Sequence, residues 1–218
     1  MQEALGRLAP PPWQPPGALH TLRIAGCFIC FGRGEPRDGG ELGVAGAAVC
    51  RGRRVLAATA VHGSVGAAYV PFLLALREGP LLEAAVRALP RTPPLIPDVL
   101  VVNASGRDHP RRAGLAVHLG AVLDLPTVGL TNRPLVASGG WPPDERGATA
   151  PFYLDGTVVG HWLRTRAGAK PVAVHAAWRT DPESAVEVVL ASIRRARTAE
   201  PLRRARTLAR ATRSRLGG

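Results

Sequence analysis

The stretch Pro97-Asp98-Val99-Leu100-Val101-Val102-Asn103-Ala104-Ser105-Gly106-Arg107-Asp108-His109-Pro110-Arg111-Arg112-Ala113-Gly114 decides the fold. Val99 to Val102 is too short and too β-branched for a helix, and Asn103-Ala104-Ser105-Gly106 is turn chemistry. Apolar spacing then predicts a helix over 113–123, and Leu125-Pro126-Thr127-Val128-Gly129-Leu130 reads as the next strand. A strand, helix, strand unit of this kind makes a parallel pair with a right-handed crossover. In such sheets ligands and reacting groups gather outside the carboxyl ends of the strands. Asn103 and its neighbours therefore stand at a candidate site.

Upstream, residues 22–31 are apolar with little interruption, and 41–50 and 55–61 give two more strands beyond the turn-rich 32–40. They predict an antiparallel meander joined to the parallel unit. Downstream, 158–164 and 170–175 read as two edge strands joined around Ala167-Gly168, and the Gly- and Pro-rich 138–152 reads as loop. Pro182-Glu183-Ser184 opens a helix in which Ala185, Val188, Val189 and Ser192 share one face. At the start, Pro10, Pro11, Pro12, Pro15 and Pro16 surround Trp13, which forbids regular structure and suggests an extended arm laid on the domain by its Trp. The expected division is a Pro-rich arm over 1–20, one α/β domain over 21–193, and an Arg-rich helix or tail over 194–218.

Length and charge narrow the function. The 218 residues are enough for one sizeable α/β core and need no second domain. The formal net charge is +12, and Lys170 is the only Lys beside 27 Arg. Between Arg194 and Arg215 nine Arg stand against Glu200 alone, so a polyanionic partner is expected. There is no apolar run of membrane-spanning length, and Met1 to Leu8 lack the pattern of a secretory signal. Three cysteines fit a reducing compartment. The expectation is a cytoplasmic protein with no membrane partner.

The central block, Asn103 to Gly120 with Asp124-Leu125-Pro126-Thr127-Val128-Gly129 after it, resembles the endonuclease V family, metal-dependent nucleases that cut near deaminated purines such as inosine. The resemblance extends to Tyr69 and Arg77-Glu78-Gly79-Pro80, to Leu163-Arg164-Thr165-Arg166, to Lys170-Pro171-Val172 and to 200–210, nearly the whole chain. It implies a single ribonuclease H-like α/β domain, a mixed sheet with flanking helices. It also implies a wedge role in nucleic acid for Tyr69 and a metal-ligand role for Glu78. The family supplies further Asp residues on its first strand and at the centre of the block, where this chain has Phe28 and Asn103. A family Lys aligns with Asn132, and a late His aligns with Trp178. Of five chemical positions only Glu78 is kept.

A hard divalent cation needs clustered carboxylates, so the chain reads as a divergent member without metal-dependent cleavage, and neither metal nor other cofactor is expected. Phe28, Asn103, Asn132 and Trp178 are expected to line the emptied pocket. Two functions from different classes stay open, beside a residual nuclease activity on inosine-containing nucleic acid. One is a binding protein for DNA or RNA, or for a nucleotide-like ligand, using Tyr69, Arg111, Arg112, Arg203, Arg204 and Arg206. The other is an enzyme that reuses the pocket for a small molecule, with Glu78 and His109 as acid/base groups or Cys30 as nucleophile. Period-2 alternation puts Cys30 on the side of Phe28 and turns Cys27 away.

Overall fold

Strand β4 (Val99–Val102) pairs in parallel with β1 (Arg23–Phe31) on one side and β5 (Thr127–Thr131) on the other. The crossover between β4 and β5 carries α4 (Leu115–Leu123), as the apolar spacing predicts. The structure is a computed structural model that describes residues 2–32, 40–65, 67–90, 95–194 and 196–216. Most of the turn-rich 32–40 segment lies outside the described residues.

The sheet has eight strands. On the far side of β1 are β2 (Glu41–Arg51) and β3 (Arg54–Val65), each antiparallel to its neighbour, which is the expected meander. Beyond β5 come β8 (Val172–Ala176), β7 (Thr157–Leu163) and β6 (Thr149–Leu154), all antiparallel, in the order β3-β2-β1-β4-β5-β8-β7-β6. Two expectations need correction here. The segments expected to be edge strands, β7 and β8, are interior; the edge is β6, formed from residues that the Gly and Pro content suggested were loop. Pro151 misleads because proline, which cannot donate to a ladder, is still tolerated on an edge strand.

Helices cover both faces. On one face α2 (Leu74–Arg77), α3 (Gly79–Arg87) and α4 pack with Ala25, Cys27, Leu100 and Val102. On the other, α5 (Pro182–Ser192) and α6 (Glu200–Leu216) cover Ile24, Val99, Val101 and Val128. Asp181 accepts a 2.7 Å bond from the Ser184 backbone N–H and closes a capping box at the start of α5. Close seating of α6 depends on glycine: a Cβ at Gly26 would lie 2.6 Å from the Leu202 nitrogen, and one at Gly46 would lie 2.5 Å from the Ala205 carbonyl oxygen. Full burial of each core leucine, such as Leu100, Leu119 or Leu202, contributes about 2 kcal/mol.

The amino-terminal arm behaves as expected at Trp13, whose backbone N–H donates to the Arg179 carbonyl at 2.7 Å and whose ring packs on the α5 layer. Its first residues instead form a short helix, α1 (Gln2–Arg7), where the sequence pattern gave no sign of one. No helix among the described residues is long and apolar enough to cross a membrane.

Candidate functional site

The carboxyl ends of β4 and β5 open onto a cavity of about 410 Å³ whose wall includes Tyr69, Phe72, Asn103, His109, Thr131 and Asn132. Tyr69 is 65% exposed at its mouth. The loop that carries it is held by His109. Its Nδ1 accepts from the Arg111 backbone N–H at 3.1 Å, so the proton sits on Nε2, which lies 3.2 Å from the Phe72 carbonyl oxygen. Phe72 has a φ of 66°, an uncommon backbone for an aromatic residue, and its ring meets the imidazole edge-on at 5.8 Å. Burial pushes the His109 pKa down, with the bond to the Phe72 carbonyl opposing. Both nitrogens lie within reach of backbone groups, so His109 ties the Tyr69 loop to the turn after β4, and Gln2 Nε2 also lies 3.2 Å from its Nε2.

Helix α1 lies against the same wall. Gln2 donates to the Phe72 and Ala113 carbonyls at 3.1 and 2.7 Å, and Arg107 caps the helix end through the Gly6 and Leu8 carbonyls at 3.1 and 2.8 Å. Arg111 donates to Gln2 at 3.1 Å, and Arg112 to Asp155 at 2.9 Å. The Arg111-Arg112 pair is thus partly engaged within the protein.

The other expected pocket residues go elsewhere. Phe28 and Cys30 share a side of β1, as alternation requires, but that side faces α6: both cluster with Val44 and Ala209, and neither lines the cavity. Two guanidinium groups stand over the Phe28 ring, Arg206 at 5.1 Å and Arg210 at 5.9 Å from its centroid. The Cys30 thiol lies 3.7 Å from the Val44 carbonyl oxygen. Trp178 exchanges bonds with Thr127, the first residue of β5, whereas Thr131 ends that strand. Four steps along the strand separate them, about 13 Å. Trp178 packs instead against α4, where a Cβ at Gly120 would meet its own Cβ at 2.3 Å.

Asn132 does line the cavity, and its Oδ1 accepts from Arg197 at 2.7 Å. Glu78 precedes α3 without capping it through its side chain, and burial pushes its carboxyl pKa up against the opposing charge of Arg77. On the opposite side of β1 from Phe28, Cys27 is pushed up to about 12, by burial first and then by the charge of Glu78.

The best-organised group of polar side chains at the cavity carries no signal in the sequence. Asp108 is fully buried and accepts from the backbone N–H groups of Leu135, Val136 and Ala137, the last two at 3.0 and 2.7 Å. Its Oδ2 lies 3.5 Å from Nδ1 of the fully buried His175, and His175 Nε2 lies 2.7 Å from the Thr131 hydroxyl. Burial pushes the His175 pKa down to about 4 with the charge of Asp108 opposing, and Nδ1 has no hydrogen-bond partner. Nothing local joins 108, 131 and 175; their meeting depends on the pairing of β5 with β8.

At the far end of the sheet, where β1 begins, Arg53, Arg146, Arg194, Arg203 and Arg204 line a cleft of about 690 Å³ with Glu200. Arg203 and Arg204 each donate to Glu200, at 2.6 and 2.7 Å.

The sequence profile of the endonuclease V family matches residues 17–207. The chain belongs to the endonuclease V family. It is 43% identical over 164 residues to an endonuclease V of Methanopyrus kandleri, covering 75% of this chain and 69% of that one. The crystal structure of endonuclease V from Streptomyces avermitilis superposes with a TM-score of 0.85 at 35% identity, covering 100% of this chain and 92% of that one. The fold is also that of a Ciona intestinalis endonuclease V (D234N) in complex with a 23mer DNA containing an inosine followed by a ribo-adenosine. In that case the TM-score is 0.83 at 18% identity, with 99% and 95% of the two chains covered.

The residues present do not fit the metal that endonuclease V resemblance implies. Asn103 offers an amide, Phe28 offers a ring already faced by two guanidinium groups, and Glu78 offers a carboxyl group. Among the described residues no three His, Cys, Asp or Glu side chains are grouped so as to hold an ion.

Proposed function

We propose that this endonuclease V-family protein binds nucleic acid and does not carry out metal-dependent cleavage. The observation that carries the reading is the cationic cover on Phe28: Arg206 and Arg210 occupy the side of β1 where an additional carboxylate would have to attract a cation. A lone Glu78 cannot offset the cost of stripping water from Mg²⁺, which dehydrates reluctantly.

Binding draws on separate features. Arg53, Arg146 and Arg194 make no salt bridge to a carboxylate among the described residues, so their cleft is suited to phosphate oxygens. Tyr69, exposed beside the cavity, offers a face on which an unstacked base can lie. The inosine-containing DNA in the Ciona intestinalis complex makes a nucleic-acid partner reasonable for this fold.

The test is an anisotropy titration with single- and double-stranded DNA and RNA at low salt, run with and without Mg²⁺. Binding that does not depend on the metal and leaves the strand intact supports the reading. Absence of binding to all of them removes it. The alternative of a small-molecule enzyme is favoured by the Asp108, His175 and Thr131 arrangement, and not by His109 or Cys30.

A further inference from the structure

Carboxyl, imidazole and hydroxyl follow one another from the core to the cavity wall, which only the hydroxyl reaches, and each comes from a different element. Asp108 lies in the turn after β4, His175 on β8, and Thr131 at the last position of β5. Three backbone N–H groups hold the Asp108 carboxyl in one orientation. Oδ2 of Asp108 faces Nδ1 of His175 at 3.5 Å, where Nδ1 has no hydrogen-bond partner; the arrangement required is a proton on Nδ1, turned to that carboxyl, with Nε2 free to accept. The ring is fixed in place: Phe152 packs on it at 5.3 Å, and a Cβ at Gly129 would come within 3.1 Å of the His175 Cβ. Asp108 and His175 are both fully buried, so Thr131 is the member that reaches the cavity. Its hydroxyl lies 2.7 Å from Nε2 and 2.7 Å from the Arg133 carbonyl oxygen, so its proton has two acceptors and Nε2 is one of them.

We propose that Thr131 is a nucleophile with His175 as its base and Asp108 as the positioning residue, and that the cavity hydrolyses a small carboxylic ester with an apolar acyl group. The order of the three groups matches the general arrangement of nucleophile, base and orienting carboxylate. Oγ1 of Thr131 attacks the carbonyl carbon while its proton passes to Nε2. The tetrahedral intermediate then expels the alcohol, which takes that proton. Water, deprotonated by the same Nε2, attacks the acyl-Thr131 ester and releases the carboxylic acid, restoring the hydroxyl. Arg197 holds the oxygen end of the Asn132 amide, so the N–H₂ end is the one available to a developing oxyanion. Phe72, Leu74, Leu115 and Leu135 supply the apolar wall that suits the acyl chain.

The experiment measures hydrolysis of p-nitrophenyl butyrate by the full chain, together with labelling by a fluorophosphonate probe followed by peptide mass mapping. Thr131→Val keeps the shape of the side chain and removes the hydroxyl; Thr131→Ser keeps the hydroxyl. Thermal melts confirm that both variants are folded. The expected result is turnover at least tenfold above that of Thr131→Val, retained in Thr131→Ser, with the phosphonyl adduct on Thr131. Equal turnover by Thr131→Val overturns the proposal. So does the absence of turnover in the natural protein, an adduct on another residue, or no adduct at all.

Discussion

The guanidinium of Arg206 stands 5.1 Å over the ring of Phe28. An acidic residue introduced at 28 would therefore meet Arg206 and Arg210 before it met a cation. The Phe28→Asp, Asn103→Asp double variant is expected to show no calorimetric heat of Mg²⁺ or Mn²⁺ binding above that of the natural protein. Micromolar binding by that variant would mean that the arginines yield to the metal and do not exclude it.

The arginines of α6 separate into two kinds. Arg203 and Arg204 are about half exposed at the arginine cleft, whereas Arg206 is partly buried against Phe28, where burial lowers its guanidinium pKa. Replacing Arg203 and Arg204 by Ala is expected to flatten the dependence of log affinity on log salt by about 0.7 to 0.9 for each phosphate no longer neutralised. Arg206→Ala is expected to act chiefly on stability, by roughly 0.5 to 2 kcal/mol. Salt-series anisotropy and thermal melts of the same variants distinguish the two effects; identical behaviour would contradict the assignment.

His109 joins the Tyr69 loop to the turn after β4. His109→Ala leaves the Phe72 carbonyl and the Arg111 N–H without this partner, at an expected cost of roughly 1–3 kcal/mol. It also frees Tyr69 and Phe72, so chymotryptic cleavage there should accelerate. An unchanged melting temperature and cleavage rate would leave His109 without the positioning role.

Much of this fold was legible because its signals are local. Val99 to Val102, the turn at Asn103 and the apolar face of 115–123 read directly as strand, turn and helix. The order of β6, β7 and β8 depends on long-range pairing, and Pro151 concealed the edge strand. The site was less legible for the same reason. Alternation correctly put Phe28 and Cys30 on one side of β1, but which helix covers that side is a tertiary fact. Trp178 follows β8, and because β8 runs antiparallel to β5 it ends at the wrong strand end for the cavity. Asp108, His175 and Thr131 are separated by 23 to 67 positions and carry no spacing rule that would join them.

Acid stability reports on the buried His175. Its pKa is lowered from 6.5 to about 4, burial being the cause and Asp108 the opposing charge. The unfolded chain therefore binds the proton more readily. Stability is fully present above pH 6.5 and is lost as pH falls from 6.5 toward 4, by ~3 kcal/mol in all. Denaturant titrations across that window should show the loss, and His175→Gln should reduce the slope. A slope unchanged by the substitution would mean that His175 is not the group responsible.

The most direct test of the central claim is a Mg²⁺ and Mn²⁺ titration with an inosine-containing oligonucleotide, using the natural protein and Glu78→Ala in parallel. The expected result is an oligonucleotide bound by both and cleaved by neither at any metal concentration. Robust cleavage by the natural protein that disappears in Glu78→Ala would contradict the account, because it would require a metal held by Glu78 together with groups other than Phe28 and Asn103.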